Sequence, residues 1–249
     1  MSGFNHRKKS KEENIMAMTK AKKRKIITLI ICGIVILLLI FYAVMGELSR
    51  RYILRNHLDN VMVTIDGEGI TLQEMAYYVI DVEDTINRMA IDYNPDKPEE
   101  FWNTHFSNSL DSVFTRDYAK KLVRELYIYD YVMEKEAIKK GYSLTLGEKN
   151  GAREDAGIFY DNLSEHTIKV LEVDEEQIVM IFERKMLVEK YVKKFADILE
   201  SEGYTGDIAS QLNFDGLFYQ DKIKSEYDIS FSELEFNRLP LGTITINYE

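Results

Sequence analysis

The run Ile26–Met45, IITLIICGIVILLLIFYAVM, is twenty residues long and carries no charge. At about 1.5 Å per residue, a helix of that length covers the roughly 30 Å hydrocarbon core of a bilayer, and helical hydrogen bonding leaves no backbone group unpaired in lipid. The pattern predicts a single transmembrane helix. Nine basic residues precede it, from Arg7 to Lys25, whereas Arg50, Arg51 and Arg55 follow it. Basic flanks stay in the cytoplasm, so the expected topology is a signal-anchor with the N-terminus inside and the C-terminal domain extracytoplasmic at the cell membrane. Cys32 is one of the apolar residues of this run.

Charge divides along the same line. Residues 1–25 carry nine basic and two acidic residues, a charge of +7, and the part after the apolar run carries 23 basic and 40 acidic residues, a charge of −17. An acidic domain of that size excludes nucleic acid as its natural ligand. It also holds no cysteine, so a hydrophobic core must stabilise it without disulfides, and about 200 residues are enough for one.

The chain reads as a basic tail over 1–25, the span over 26–45, a helical stalk over 46–60, a helical domain over 61–205 and a β-rich segment over 206–249. Val61, Val63 and Ile65 alternate as a strand, and Asp66-Gly67 is a tight-turn pair. Thr71 with Glu74 forms a capping box before a helix reaching about Ile91. A second helix runs from about Ser109 to Lys140, ended by Gly141; its stretch Leu122–Met133 is apolar nearly all round, as a central helix would be. Thr145 with Glu148 opens a third helix, Ser164–Leu171 reads as a short one, and Asp174 with Gln177 opens a last one running to about Glu200. Tyr227–Phe236 and Thr243–Tyr248 read as strands. They need a partner, and pairing with Val61–Ile65 would close the domain.

Three of these landmarks together resemble a known family. Val63-Thr-Ile-Asp66-Gly67-Glu-Gly-Ile70-Thr71-Leu-Gln-Glu74 resembles the opening of the SurA/PrsA-type chaperone N-terminal domain. Glu136-Ala137-Ile-Lys-Lys-Gly141-Tyr-Ser-Leu144-Thr145-Leu-Gly-Glu148 is similar to its helix–Gly–helix junction, and Asp174-Glu-Glu-Gln177 to the start of its last helix. The expected fold class is therefore mainly α: a transmembrane helix, then a helical chaperone-like domain with a small terminal β-sheet. Many members add a parvulin-type prolyl isomerase of about ninety residues with active-site histidines. Only Ser201–Glu249 follows here, without a histidine, so the resemblance implies the chaperone module alone.

The chemistry the residues offer is thin. His105 and His166 stand apart from any nucleophile motif. Asp92-Tyr-Asn94-Pro-Asp96 alternates oxygen groups as a calcium loop does, but Lys97 stands where glycine is needed and Asn103 where glutamate is needed. The carboxylates Asp81, Glu83 and Asp84, and Glu172, Asp174, Glu175 and Glu176, read as solvated faces and helix starts. No Walker loop, GxSxG or dinucleotide fingerprint is present. The expectation is no enzyme, no cofactor and no metal.

Aromatic residues are abundant: sixteen tyrosines and twelve phenylalanines beside one tryptophan. Tyr77, Tyr78, Phe101, Trp102 and Phe106 fall on or beside the first helix, several of them off its apolar face. Rigid rings of this kind suit apolar peptide segments, so these five are the candidate peptide-binding residues. The expected function is a membrane-anchored extracytoplasmic chaperone-like protein that binds unfolded or exported polypeptides without catalysis. The alternative is an envelope scaffold for one dedicated protein partner.

Overall fold

The computed structural model describes residues 36–37, 53–106 and 112–246. The chain divides into two units, Met1–Tyr52 and Ile53–Glu249. In the first, Ile36 and Leu37 are described, and both are helical.

Among the described residues no helix is long and apolar enough to cross a membrane. The longest helices carry charges through their middles, such as Glu183, Arg184 and Lys185 in the helix Glu175–Ser201. This corrects the expected fold class with its transmembrane helix, and with it the single-pass signal-anchor topology and the cell-membrane localisation. Apart from Ile36 and Leu37, the expected span Ile26–Met45 lies outside the described residues. The fold that is described is mainly helical with a small three-stranded sheet.

The second unit begins earlier than a stalk ending at residue 60 allows. Leu54 and Leu58, in and after a 3-10 turn, are buried in its core. Strand β1 (Val61–Ile65) then turns into β2 (Glu68–Thr71). The turn residues Asp66 and Gly67 have φ of 50° and 85°. Two positive φ values in sequence make the type I′ geometry that matches strand twist, which Asp-Gly favours.

The Thr71–Glu74 box forms, with the Thr71 N–H donating to Glu74 and the Glu74 N–H donating to Thr71 Oγ1. It stabilises a turn, and helix α1 proper spans Ala76–Tyr93. A 3-10 helix, Pro98–Asn103, and the two-residue strands β3 (His105–Phe106) and β4 (Val113–Phe114) lead into α2, Thr115–Lys139. Gly141, at φ 81°, ends it; the N–H groups of Gly141 and Tyr142 donate to Ile138 and Ala137 carbonyls that α2 leaves open. Helices α3 (Leu146–Asp161), α4 (Glu165–Leu171) and α5 (Glu175–Ser201) follow. Thr145, Ser164 and Asp174 each accept the backbone N–H three residues on.

Helix α2 is central: Val123, Tyr127, Ile128, Val132 and Met133 are buried, and it packs against α1 and α5 while α3 packs against α5. The segment after α5 is only slightly β. It forms α6 (Ile208–Gln211), a π-turn at Tyr219–Ile223, strand β5 (Ile229–Phe231) and α7 (Glu233–Arg238). Strand β5 pairs antiparallel with β1, giving the order β2-β1-β5. The ends of the domain thus meet through β5. The second expected strand does not form over Thr243–Ile246, because its amides are used elsewhere.

Candidate functional site

Helix α1 buries Val79, Val82, Ile86 and Ala90, and Glu83 lies among them with no exposed surface. A carboxyl placed there needs donors, since an unpaired buried charge is costly. The C-terminal segment supplies them. Glu83 Oε1 accepts the backbone N–H groups of Gly242 and Ile244, and Oε2 accepts the N–H of Thr245 at 2.7 Å and its hydroxyl at 2.6 Å. Three backbone amides, two of them from the expected strand Thr243–Tyr248, converge on one side chain.

The preceding carbonyls are held by cations of α2: Arg116 Nε donates to Leu241 O at 2.8 Å and Lys120 Nζ to Asn237 O at 2.9 Å. Leu239, Leu241 and Ile244 are buried. Gly242 has φ 92°, and a Cβ there would sit 2.5 Å from the Trp102 ring. Backbone amides on a carboxylate, carbonyls on cations and apolar side chains in the core hold this segment of the chain in place.

The clamped segment runs into an open groove of about 530 Å³, to whose lining Thr245 and Ile246 contribute. Ile80, Asp81, Asp84 and Asn87 of α1 form one wall. Phe159 and Leu163, with the polar Asn162, Ser164 and Thr167, come from the end of α3 and the start of α4. Asp81 is half-buried. Burial pushes its carboxyl above the usual range, against the pull of Lys185. Among the described residues no hydrogen bond and no ion pair within 4 Å reaches Asp81, since Lys185 pairs at 3.7 Å with Asp130. Asp84, mostly exposed, pairs with Arg88 at 2.7 Å.

The aromatic candidates are not brought together. Tyr77, Tyr78 and Trp102 are core residues, at 5%, 1% and 1% exposure, which corrects their assignment as exposed peptide-binding rings. Tyr77 sits edge-on to Tyr78 and Phe182 and packs on Phe159. Tyr78 donates its hydroxyl to Asp130 at 2.9 Å. The first half of α1 is covered from several directions, so rings off its main apolar face still find partners. Phe101 is half-exposed, with its ring 5.3 Å from that of the exposed Tyr93. Phe106 pairs with Val113 in β3–β4, and its side chain lies outside the described residues.

The remaining candidates have ordinary surroundings. His105 Nδ1 lies 2.8 Å from Ser112 Oγ, and His166 is exposed. The oxygen-rich loop is an Asx turn, in which the Asp96 N–H donates to Asn94 Oδ1. Among the described residues no group of three or more His, Cys, Asp or Glu side chains could hold a metal ion. Asp174 caps α5, Glu176 takes both arms of Arg153, and Glu172 accepts from Arg55. Glu83 and Asp81 depart from that pattern, and reading them as solvated is corrected. The signal for Glu83 was present: it follows Val79 by four residues and precedes Ile86 by three, on the buried stripe. Compared with protein-family models, curated proteins and solved structures, the chain matches none.

Proposed function

We propose that the domain is a polypeptide-binding module that works without chemistry. The observation that carries this reading is the groove beside α1: the fold already holds one of its own segments there by its backbone amides, and Thr245 and Ile246 of that segment help to line the groove. The resemblance to the SurA/PrsA-type chaperone module points the same way. The candidate binding face moves from the aromatic cluster to the wall formed by Ile80, Asp81, Asp84 and Asn87 against Phe159 and Leu163.

The test is binding of labelled unfolded polypeptides to the full chain. The comparison is with Asn162→Trp, which places a large ring at the lining from an exposed position. Binding weakened about tenfold, with an unchanged melting temperature, is the expected result, in line with a blocked contact of about 1.4 kcal/mol. Equal binding by the variant, or no binding by either protein, overturns the proposal. Tight binding of a single native protein in place of unfolded chains would favour a dedicated scaffold.

A further inference from the structure

We infer that the open part of the groove selects a basic side chain, so that its occupant is a short extended peptide segment carrying lysine or arginine between apolar residues. This rests on the polypeptide-binding reading and goes further, to the sequence the groove prefers. The α1 wall from Ile80 to Asn87 is about 10 Å long at 1.5 Å per residue. An extended chain advances roughly 3.3 Å per residue, so about three residues lie along that wall. Ile80, Phe159 and Leu163 give the lining its apolar part; of the polar lining residues, Asn162 donates to the Ile158 carbonyl and Ser164 accepts the Thr167 N–H.

The charge along the wall has one sign. Asp81 lies half-buried in the wall with no donor on it among the described residues, and Asp84 stands one helical turn further on. The two nearby cations are engaged, Lys185 with Asp130 and Arg88 with Asp84. Lys185 and Arg88 act on Asp81 only from a distance; a guest cation would give it a direct partner, in a place where water screens the pair less than at an open surface. Thr245 both donates to Glu83 and lines the groove, so the groove adjoins a place where the fold already holds polypeptide backbone.

The experiment uses the full chain and four synthetic peptides of alternating leucine and serine. Their central residue is lysine, arginine, norleucine or glutamate, and binding is read by fluorescence anisotropy. Lysine and arginine peptides should bind about tenfold tighter than the norleucine peptide, and the glutamate peptide weakest. Asp81→Asn should reduce lysine-peptide binding to the norleucine level. Norleucine and lysine peptides binding equally would overturn the selectivity while leaving the polypeptide-binding reading standing. A lysine preference that survives both Asp81→Asn and Asp84→Asn would also overturn it. Failure of every peptide to bind would remove the reading and the inference together. Should Asp81→Asn fail to fold, Asp84→Asn and the lysine–norleucine comparison on the unaltered chain decide.

Discussion

Glu83 shows how one side chain can set the course of a distant segment. Among the described residues its two oxygens meet four donors, all from Gly242, Ile244 and Thr245. Glu83→Gln keeps the shape but turns an NH2 group towards those donors. Each buried donor left unmade costs about 1–3 kcal/mol, so the substitution should destabilise the domain by about 2–4 kcal/mol. Trp102 is the only tryptophan and lies under Gly242, so its emission should shift to the red as the segment loosens. A melting temperature and emission like those of the parent would show that the clamp is dispensable.

Asp130 works in the opposite sense. Burial raises its carboxyl above the ordinary range, although Lys185 and the Tyr78 hydroxyl favour the ionised form. A raised carboxyl contributes stability that is complete below the unfolded value, about 3.9. That contribution is lost as pH rises through the folded value. Asp130→Asn should therefore raise the melting temperature at neutral pH, with the gain fading as the medium is acidified towards pH 4. A lower melting temperature at neutral pH would mean that the Lys185 pair outweighs the desolvation.

Among the elements, those announced by local rules were legible in the sequence. The Asp66–Gly67 turn, the Gly141 stop and the starts of α3, α4 and α5 are set by side chains within three or four residues of the backbone they serve. The box at Thr145 is an example: its hydroxyl accepts the Glu148 N–H, and Glu148 takes the Thr145 N–H and Lys190. These bonds, Lys190 first, hold the Glu148 carboxyl down at about 2. Its contribution is therefore present above the ordinary carboxylate range and lost as pH falls towards 2. Thr145→Ala should cost about 1 kcal/mol at neutral pH, visible in hydrogen exchange as faster opening of the first turn of α3. Unchanged exchange there would count against the cap.

What was not legible depends on contacts far along the chain. Thr243–Ile246 alternates like a strand, yet its amides go to Glu83 some 160 residues earlier. Tyr77 and Tyr78 look peripheral on a helical wheel. They are core because Phe159, Phe182 and Tyr127 arrive from three other places in the sequence or the fold. The groove is a product of the same assembly, since α1, the α3–α4 junction and the last described residues all contribute to it.

At the scale of the molecule, both ends of the second unit are joined. β1 pairs with β5, and the segment after α7 lies on α1. Deleting Leu239–Glu249 removes three buried aliphatic side chains, Leu239, Leu241 and Ile244. It also leaves Glu83 buried without donors. At roughly 1.5–3 kcal/mol per side chain, the loss is on the order of 5 kcal/mol, comparable to the whole stability of many domains. The truncated protein should lose its cooperative melt; a melt like that of the full chain would sink this account of the clamp. The same joining has a consequence during biosynthesis. A ribosome delivers β1 and α1 well before their partners, which lie some 160 residues further along the chain. Until then Glu83 has no donors and one edge of β1 is bare. The nascent chain must wait in an incomplete state while some 160 residues are added, dependent on whatever keeps that edge from pairing with a neighbour.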